Sequence, residues 1–273
     1  MKFKLAAFAD EADSSIDGQI IAMKENSVSF LEIRGVDGQN IADISKSKAK
    51  EVRTKLDDAG LAVWSLGSPF GKIDINDDFN SHLDKFKHSL EIGQILGAQK
   101  LRLFSFYGTT EEPQKYYDKV IQNLQAFLDT ARGSGIMLCH ENEKGIYGDI
   151  ACRCLEIHKA LPELKAIFDP ANFIQSGQNT KEAWDLLAPY VEYMHIKDAK
   201  VDGSVVPAGK GEGYLPYILN QYKGQVLTIE PHLKVFSGFE KLENGQKTQI
   251  QEYTYPSSRA AFDAAVNALK EII

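Results

Sequence analysis

Residues 135–141 (GIMLCHE), 164–169 (LKAIFD), 191–196 (VEYMHI) and 225–230 (QVLTIE) are four short apolar runs, each with a potential metal ligand at or beside its C-terminal end: Glu141, Asp169, His195 and Glu230. Successive ligands lie 28, 26 and 35 residues apart. Each gap is about the length of one strand, loop and helix, so the four side chains are expected at corresponding ends of successive parallel strands. An arrangement of that kind makes a divalent-metal site.

Working outward, further β-rich runs occur near 3–9 (FKLAAFA), 29–34 (SFLEIR), 62–67 (AVWSLG) and 100–106 (KLRLFSF). With runs near 135–141, 165–169, 192–197 and 225–230 they bring the strands to eight. Between them lie helical patterns such as SIDGQIIAMKEN (15–26), KAKEVRTKLDDAG (48–60), HLDKFKHSLEIGQILG (82–97) and YYDKVIQNLQAFLDTARGSG (116–135), apolar at three and four spacing and with Gly near their ends. Eight alternating units without an order reversal predict an α/β fold, a closed (β/α)8 TIM barrel forming a single domain over 1–273. No GxGxxG follows the first strand, and no Pro/Gly/Ser-rich linker divides the chain. One stretch, 231–256, runs long between the last strand and the last helix. Long loops at this end of a barrel usually cover the site or make subunit contacts.

Composition limits the function classes. The chain of 273 residues is 43% hydrophobic and 25% charged, with a mean hydropathy of −0.29, as in ordinary globular proteins. No apolar stretch approaches the roughly 18 residues of a spanning helix, so no membrane partner is expected. The opening MKFKLAAFADEAD turns acidic within ten residues and reads as a first strand rather than a leader. Cys139, Cys152 and Cys154 are odd in number and lack a second pair, which supports neither a disulfide framework nor a thiolate site and places the protein in the cytoplasm. A net charge of −7 without long basic runs argues against nucleic acid as a partner.

Three carboxylates converging with one imidazole repel one another unless a cation neutralises them. An oxygen-rich set with one nitrogen suits one divalent ion, Mn²⁺ ahead of Mg²⁺ and Co²⁺, with Zn²⁺ also compatible. Around this core, Glu32 and Arg34 share a face of the second strand by period-two alternation, and they read either as substrate-binding groups or as a structural ion pair at the mouth. Lys197 shares a face with His195 and reads as a substrate-binding group or as half of a loop ion pair with Asp198. Arg102 is undecided between the interior and the outside of the barrel. The Gly-rich AGKGEG (208–213), with Lys210, is a candidate phosphate cradle.

The segments HENEKGIYGD (140–149), FDPANF (168–173), YMHIKDAK (193–200) and LTIEPH (227–232) resemble those of the xylose isomerase-like barrels, a superfamily of sugar and sugar-phosphate isomerases and epimerases. FADEA (8–12), LEIRG (31–35) and VPAGKGEG (206–213) extend the resemblance over essentially the whole chain. It implies that Glu141 and Glu230 both touch the metal and act as catalytic bases, one on each face of the substrate, while Asp169 and His195 serve as ligands. The implied function is a divalent-metal-dependent isomerase or epimerase of a small sugar or sugar derivative, working by proton transfer through a metal-stabilised enediolate. A metal-dependent dehydratase or lyase of a keto-inositol or related polyol is the alternative, and a non-catalytic ligand-binding barrel comes behind both. The family's nuclease branch carries Asp-x-x-His where this chain has Asp169-Pro170-Ala171-Asn172, and it has extra histidines at strand ends where this chain has Ser68 and Tyr107. A mononuclear sugar site is therefore expected, with Asn172 among the substrate-binding residues. The resemblance also implies self-association, since family members are often dimers or tetramers.

Overall fold

The barrel strands are short and mainly apolar because both faces of each are covered, one by helices and one by the opposite wall. In the computed structural model, which describes residues 3–235 and 254–273, they are β1 (Lys4–Ala7), β2 (Phe30–Ile33), β3 (Ala62–Leu66), β4 (Lys100–Leu103), β5 (Met137–Glu141), β6 (Lys165–Phe168), β7 (Val191–Ile196) and β8 (Val226–Ile229). They pair in parallel, each with its sequence neighbours, and β1 pairs with both β2 and β8. The sheet thus closes as a barrel. Among the described residues, eight helices lie between or after the strands: α1 (Ile16–Glu25), α2 (Lys46–Ala59), α3 (Phe79–Leu96), α4 (Pro113–Ala131), α5 (Ala151–Ala160), α7 (Thr180–Leu187), α8 (Leu215–Gln221) and α9 (Ser258–Ile272). One further short helix, α6 (Pro170–Gln175), follows β6 directly. No helix among the described residues is long and apolar enough to cross a membrane.

Chemistry at the element ends accounts for their limits. Ser45 and Asp78 cap α2 and α3 through side-chain oxygens, and Gly60 and Gly97 end the same helices in the left-handed conformation. Seven of the eight predicted strands run longer than the observed ones, and two show why. Gly135 has φ 80° and so lies before β5, which begins at Met137. Beyond Leu103 the chain leaves the ladder: Phe104 and Phe106 bond through their N–H groups to Phe70 and Gly71, and Phe106 takes φ 69°.

Inside the barrel, a plug of Ala6, Cys139, Ile167, Tyr193 and Val226, with Phe30, Trp64 and Met137 against it, fills the lower layer. Two residues further along the same strands come Phe8, Glu141, Asp169, His195 and Thr228, at the C-terminal mouth. The interior is thus mainly apolar below and ionic above. On β4, Leu101 and Leu103 join the large core under the helices, whereas Lys100 and Arg102 point inward: Lys100 lies over the Trp64 ring and Arg102 over the Phe8 ring.

Outside the barrel, three histidines are held neutral. Burial and Lys85 push His82 down to about 4, burial pushes His158 down to about 4 against the Leu164 carbonyl, and burial with His158 lowers His140 further. His82 Nε2 accepts the Gly71 N–H (2.9 Å), a bond only the neutral ring can make. The unfolded chain takes up protons below about pH 6.5 while the folded one does not, so this contribution to stability is complete above pH 6.5 and is lost as the pH falls toward 4. Urea midpoints measured from pH 7 to 4.5 should therefore fall. The fall should be shallower in H82Q, which keeps an acceptor for Gly71 but does not titrate; equal slopes would exclude His82 as a contributor.

Candidate metal centre

The four strand-end residues meet. Glu141, Asp169, His195 and Glu230 each offer an atom within 4.8 Å of the others, and all are buried at the barrel mouth. Glu141 closes β5 and His195 sits one residue before the end of β7. Asp169 follows β6 and caps α6, its Oδ1 accepting from Asn172 N (2.9 Å), with Pro170 preset for the first helical position. Glu230 follows β8 and donates its backbone N–H to Ile196 O (3.2 Å). Asn142 locks the ends of β5 and β6 together: its Oδ1 accepts from Asp169 N and its Nδ2 donates to Asp169 O, both at 2.9 Å.

Cations from neighbouring strands hold these carboxylates. Glu141 Oε2 receives Arg102 Nη1 at 2.9 Å, and its Oε1 lies 2.9 Å from His195 Nδ1 and 3.3 Å from Asn172 Nδ2. Glu230 lies 3.4 Å from Arg34 Nη1 and 3.1 Å from Lys197 Nζ, and Lys197 also reaches Asp169 Oδ2 at 2.9 Å. Burial alone would raise the Glu230 carboxyl, but Lys197, His232 and His195 outweigh it, and the group lies well below the ordinary carboxylate range. Asp169 goes the other way: burial pushes it up to about 8, with Lys197 opposing. For His195, burial is outweighed by Glu141 and Glu32, and the ring is held well above its usual value. A buried cluster of this kind favours cations of any sort. Three carboxylates and one imidazole nitrogen are also the donor chemistry of a hard divalent ion, so the residues present fit such a metal.

The expected neighbours take partners that the sequence did not indicate. Glu32 and Arg34 diverge: Arg34 turns to Asp10 (2.9 Å), Glu11 (3.1 Å) and Glu230, while Glu32 lies 3.0 Å from His195 Nε2 and 2.9 Å from the Tyr193 hydroxyl. Lys197 goes into the centre rather than to Asp198. Asn172 donates Nδ2 to Asn142 O (2.9 Å) as well as to Glu141. Asp10, Glu11, Arg102 and Asn142 went unnamed as site residues in the sequence reading. Arg102 could have been found from the alternation in KLRL, where the leucines claim the outer face. His232 also joins the mouth, its backbone N–H donating to Glu11 Oε2 (2.7 Å) and its Nε2 lying 3.4 Å from Glu11 Oε1. Burial pushes the Glu11 carboxyl up to about 8 against the pull of Arg34. The role expected for 231–256 falls mostly on residues 236–253, outside the described residues.

The candidate phosphate cradle is corrected by the structure. The N–H groups of Gly209, Gly211 and Gly213 point at the Asp198 carboxylate (2.9, 3.0 and 2.9 Å), which also accepts from Ala199 N. A Cβ at Gly211 would lie 2.4 Å from Ala199 O and from Asp198 Oδ1, so glycine is required by the close approach of the chain's own carboxylate. Removing that acceptor in D198A leaves the buried N–H groups of Ala199 and Gly213 unmet, with an expected loss of about 1–3 kcal/mol. Amide exchange at Gly209, Gly211 and Gly213 should accelerate selectively; unchanged protection there would show that Asp198 does not hold the loop.

A family model described as the xylose isomerase-like TIM barrel matches residues 22–232. No curated protein matches the chain by sequence. Among solved structures, the chain resembles a probable 3-DHS dehydratase from Bacillus anthracis (15% identity, TM-score 0.75, 99% of each chain covered). It resembles a D-psicose 3-epimerase determined in the presence of D-fructose (16%, TM-score 0.74, 98% of this chain and 97% of the other). A barrel from Mycobacterium smegmatis in complex with magnesium is likewise similar (17%, TM-score 0.68, 100% and 97%). At these identities the likeness is one of fold.

Proposed function

We propose that this chain, which belongs to the xylose isomerase-like TIM barrel family, is a divalent-metal-dependent enzyme that isomerises or epimerises a small sugar or sugar derivative by moving a proton next to a carbonyl. The observation that carries this reading is the buried convergence of Glu141, Asp169, His195 and Glu230 at the C-terminal mouth, where barrel enzymes place their chemistry. Two further supports are the presence of a sugar epimerase and of a magnesium-bound barrel among the similar structures. A divalent ion held by these four residues, Mn²⁺ in the first instance, would supply Lewis-acid stabilisation of the charge that develops on substrate oxygens.

The proton is handled by the chain itself. Glu230, kept ionised by Lys197 and flanked by Arg34, is the first candidate base. Glu141 is the second, and it is the more tightly held, with Arg102, His195 and Asn172 all on its oxygens. Two carboxylates working on opposite faces invert a carbon; a single one returning the proton to the adjacent carbon interconverts aldose and ketose. The presence of a probable 3-DHS dehydratase among the similar structures supports dehydration of a keto-inositol or related polyol as the second reading.

Metal analysis should find about one divalent ion per chain, and chelation should abolish turnover until Mn²⁺ is restored. In heavy water with a panel of ketoses and polyols, the wild type should wash deuterium into the substrate carbon, and E230Q should be slower by about a hundredfold or more. A product lighter by one water would favour the dehydratase reading. Undiminished exchange in both E141Q and E230Q would remove the two carboxylates from the reaction.

A further inference from the structure

We propose that Glu32 is a positioning residue: with Tyr193 behind it, its carboxylate takes the Nε2–H of His195 and so commits the Nδ1 lone pair to the divalent ion. The inference rests on the metal-centre reading and goes beyond it, because it assigns a function to a carboxylate that the sequence placed among the substrate groups.

Glu32 is fully buried, and both of its oxygens are engaged within the barrel, Oε1 by the Tyr193 hydroxyl and Oε2 by His195 Nε2. A neutral imidazole carries one N–H, and whichever nitrogen donates leaves the other as the ligand. Here the two ring nitrogens face different surroundings. Nδ1 lies 2.9 Å from Glu141 Oε1 and 3.5 Å from Glu230 Oε2, among the atoms that converge, while Nε2 faces Glu32. A carboxylate on the far nitrogen fixes the ring orientation and makes the near nitrogen a better donor.

The backbone and the rings below support this role. The ladder between β2 and β3 shifts register between Leu31 and Glu32, setting Glu32 opposite Ser65. Such irregularities re-aim side chains at barrel rims. Ser65 Oγ lies 3.1 Å from the Tyr193 hydroxyl, which donates to Glu32, so the chain of bonds continues one residue beneath the carboxylate. Tyr193 precedes His195 by two on β7 and faces the same way, and its ring meets His195 and Trp64 edge-on. Phe8 closes the remaining side at 5.2 Å. The imidazole is thereby wedged as well as hydrogen-bonded.

The test uses the full chain and Co²⁺, which reports affinity by calorimetry and ligand field by visible absorption. In E32L, Co²⁺ binding should weaken by about 10- to 100-fold, and the visible bands should change as the nitrogen donor is lost or reoriented. E32Q, whose amide oxygen still accepts from Nε2, should recover part of the affinity, and Y193F should shift it less in the same direction. Wild-type Co²⁺ affinity and spectrum in E32L would overturn the inference. If E32L does not fold, wild-type values in both E32Q and Y193F would overturn it. A wild-type chain that binds no Co²⁺ would fail at an earlier point, removing the metal centre and with it the role assigned to Glu32.

Discussion

Burying like charges beside one another is the constraint around which the rest of this barrel is arranged. Asp10, Glu11, Glu32, Glu141, Asp169 and Glu230 crowd one mouth, and Arg34, Arg102 and Lys197 are threaded among them from three other positions on the wall. Coulomb attraction in a poorly screened interior is strong, yet it repays the loss of hydration only where geometry and hydrogen bonds are good. The supporting features serve that geometry: Asn142 tying two strand ends, the cap at α6, and the two guanidinium groups lying over the Phe8 ring at 4.5 and 5.1 Å. Phe8 thus gives two cations one ring to lie against. Gly67 leaves the room it needs, since a Cβ there would come within 2.6 Å of the ring.

The parts of this arrangement that follow from periodicity were legible in the sequence. All eight barrel strands overlap their predicted runs, and the four strand-end residues converge, because fixed βα lengths bring equivalent strand ends to one rim. What was not legible depends on where long side chains turn after leaving the backbone. Glu32 and Arg34 alternate as expected, yet one goes to His195 and the other to the loop after β1, and nothing in the spacing of LEIRG encodes that divergence. The register shift at Glu32 is also silent in the sequence. Asp10 and Glu11 lie in a turn after β1, where acidic residues are ordinarily solvated, and only the tertiary position of Arg34 draws them in.

The family gives the architecture, and the details of this chain give its character. Asn172 bonds through its side chain to Glu141 and Asn142 and through its backbone to Asp169, so the helix after β6 is fastened to β5. The mouth is thereby tied together by amide hydrogen bonds as well as by ion pairs. A plug of aromatic and small apolar side chains underneath prevents the floor from yielding.

The glycine-rich loop around Asp198 has a meaning beyond its own stability. It is a receptor for an anion whose anion is part of the same chain, and it stands against the start of α6, with Gly213 close to Pro170 beside Asp169. The three N–H groups are therefore spent within the chain, and Asp198, next in sequence to Lys197, ties the segment that carries a cation into the centre to the loop that follows it.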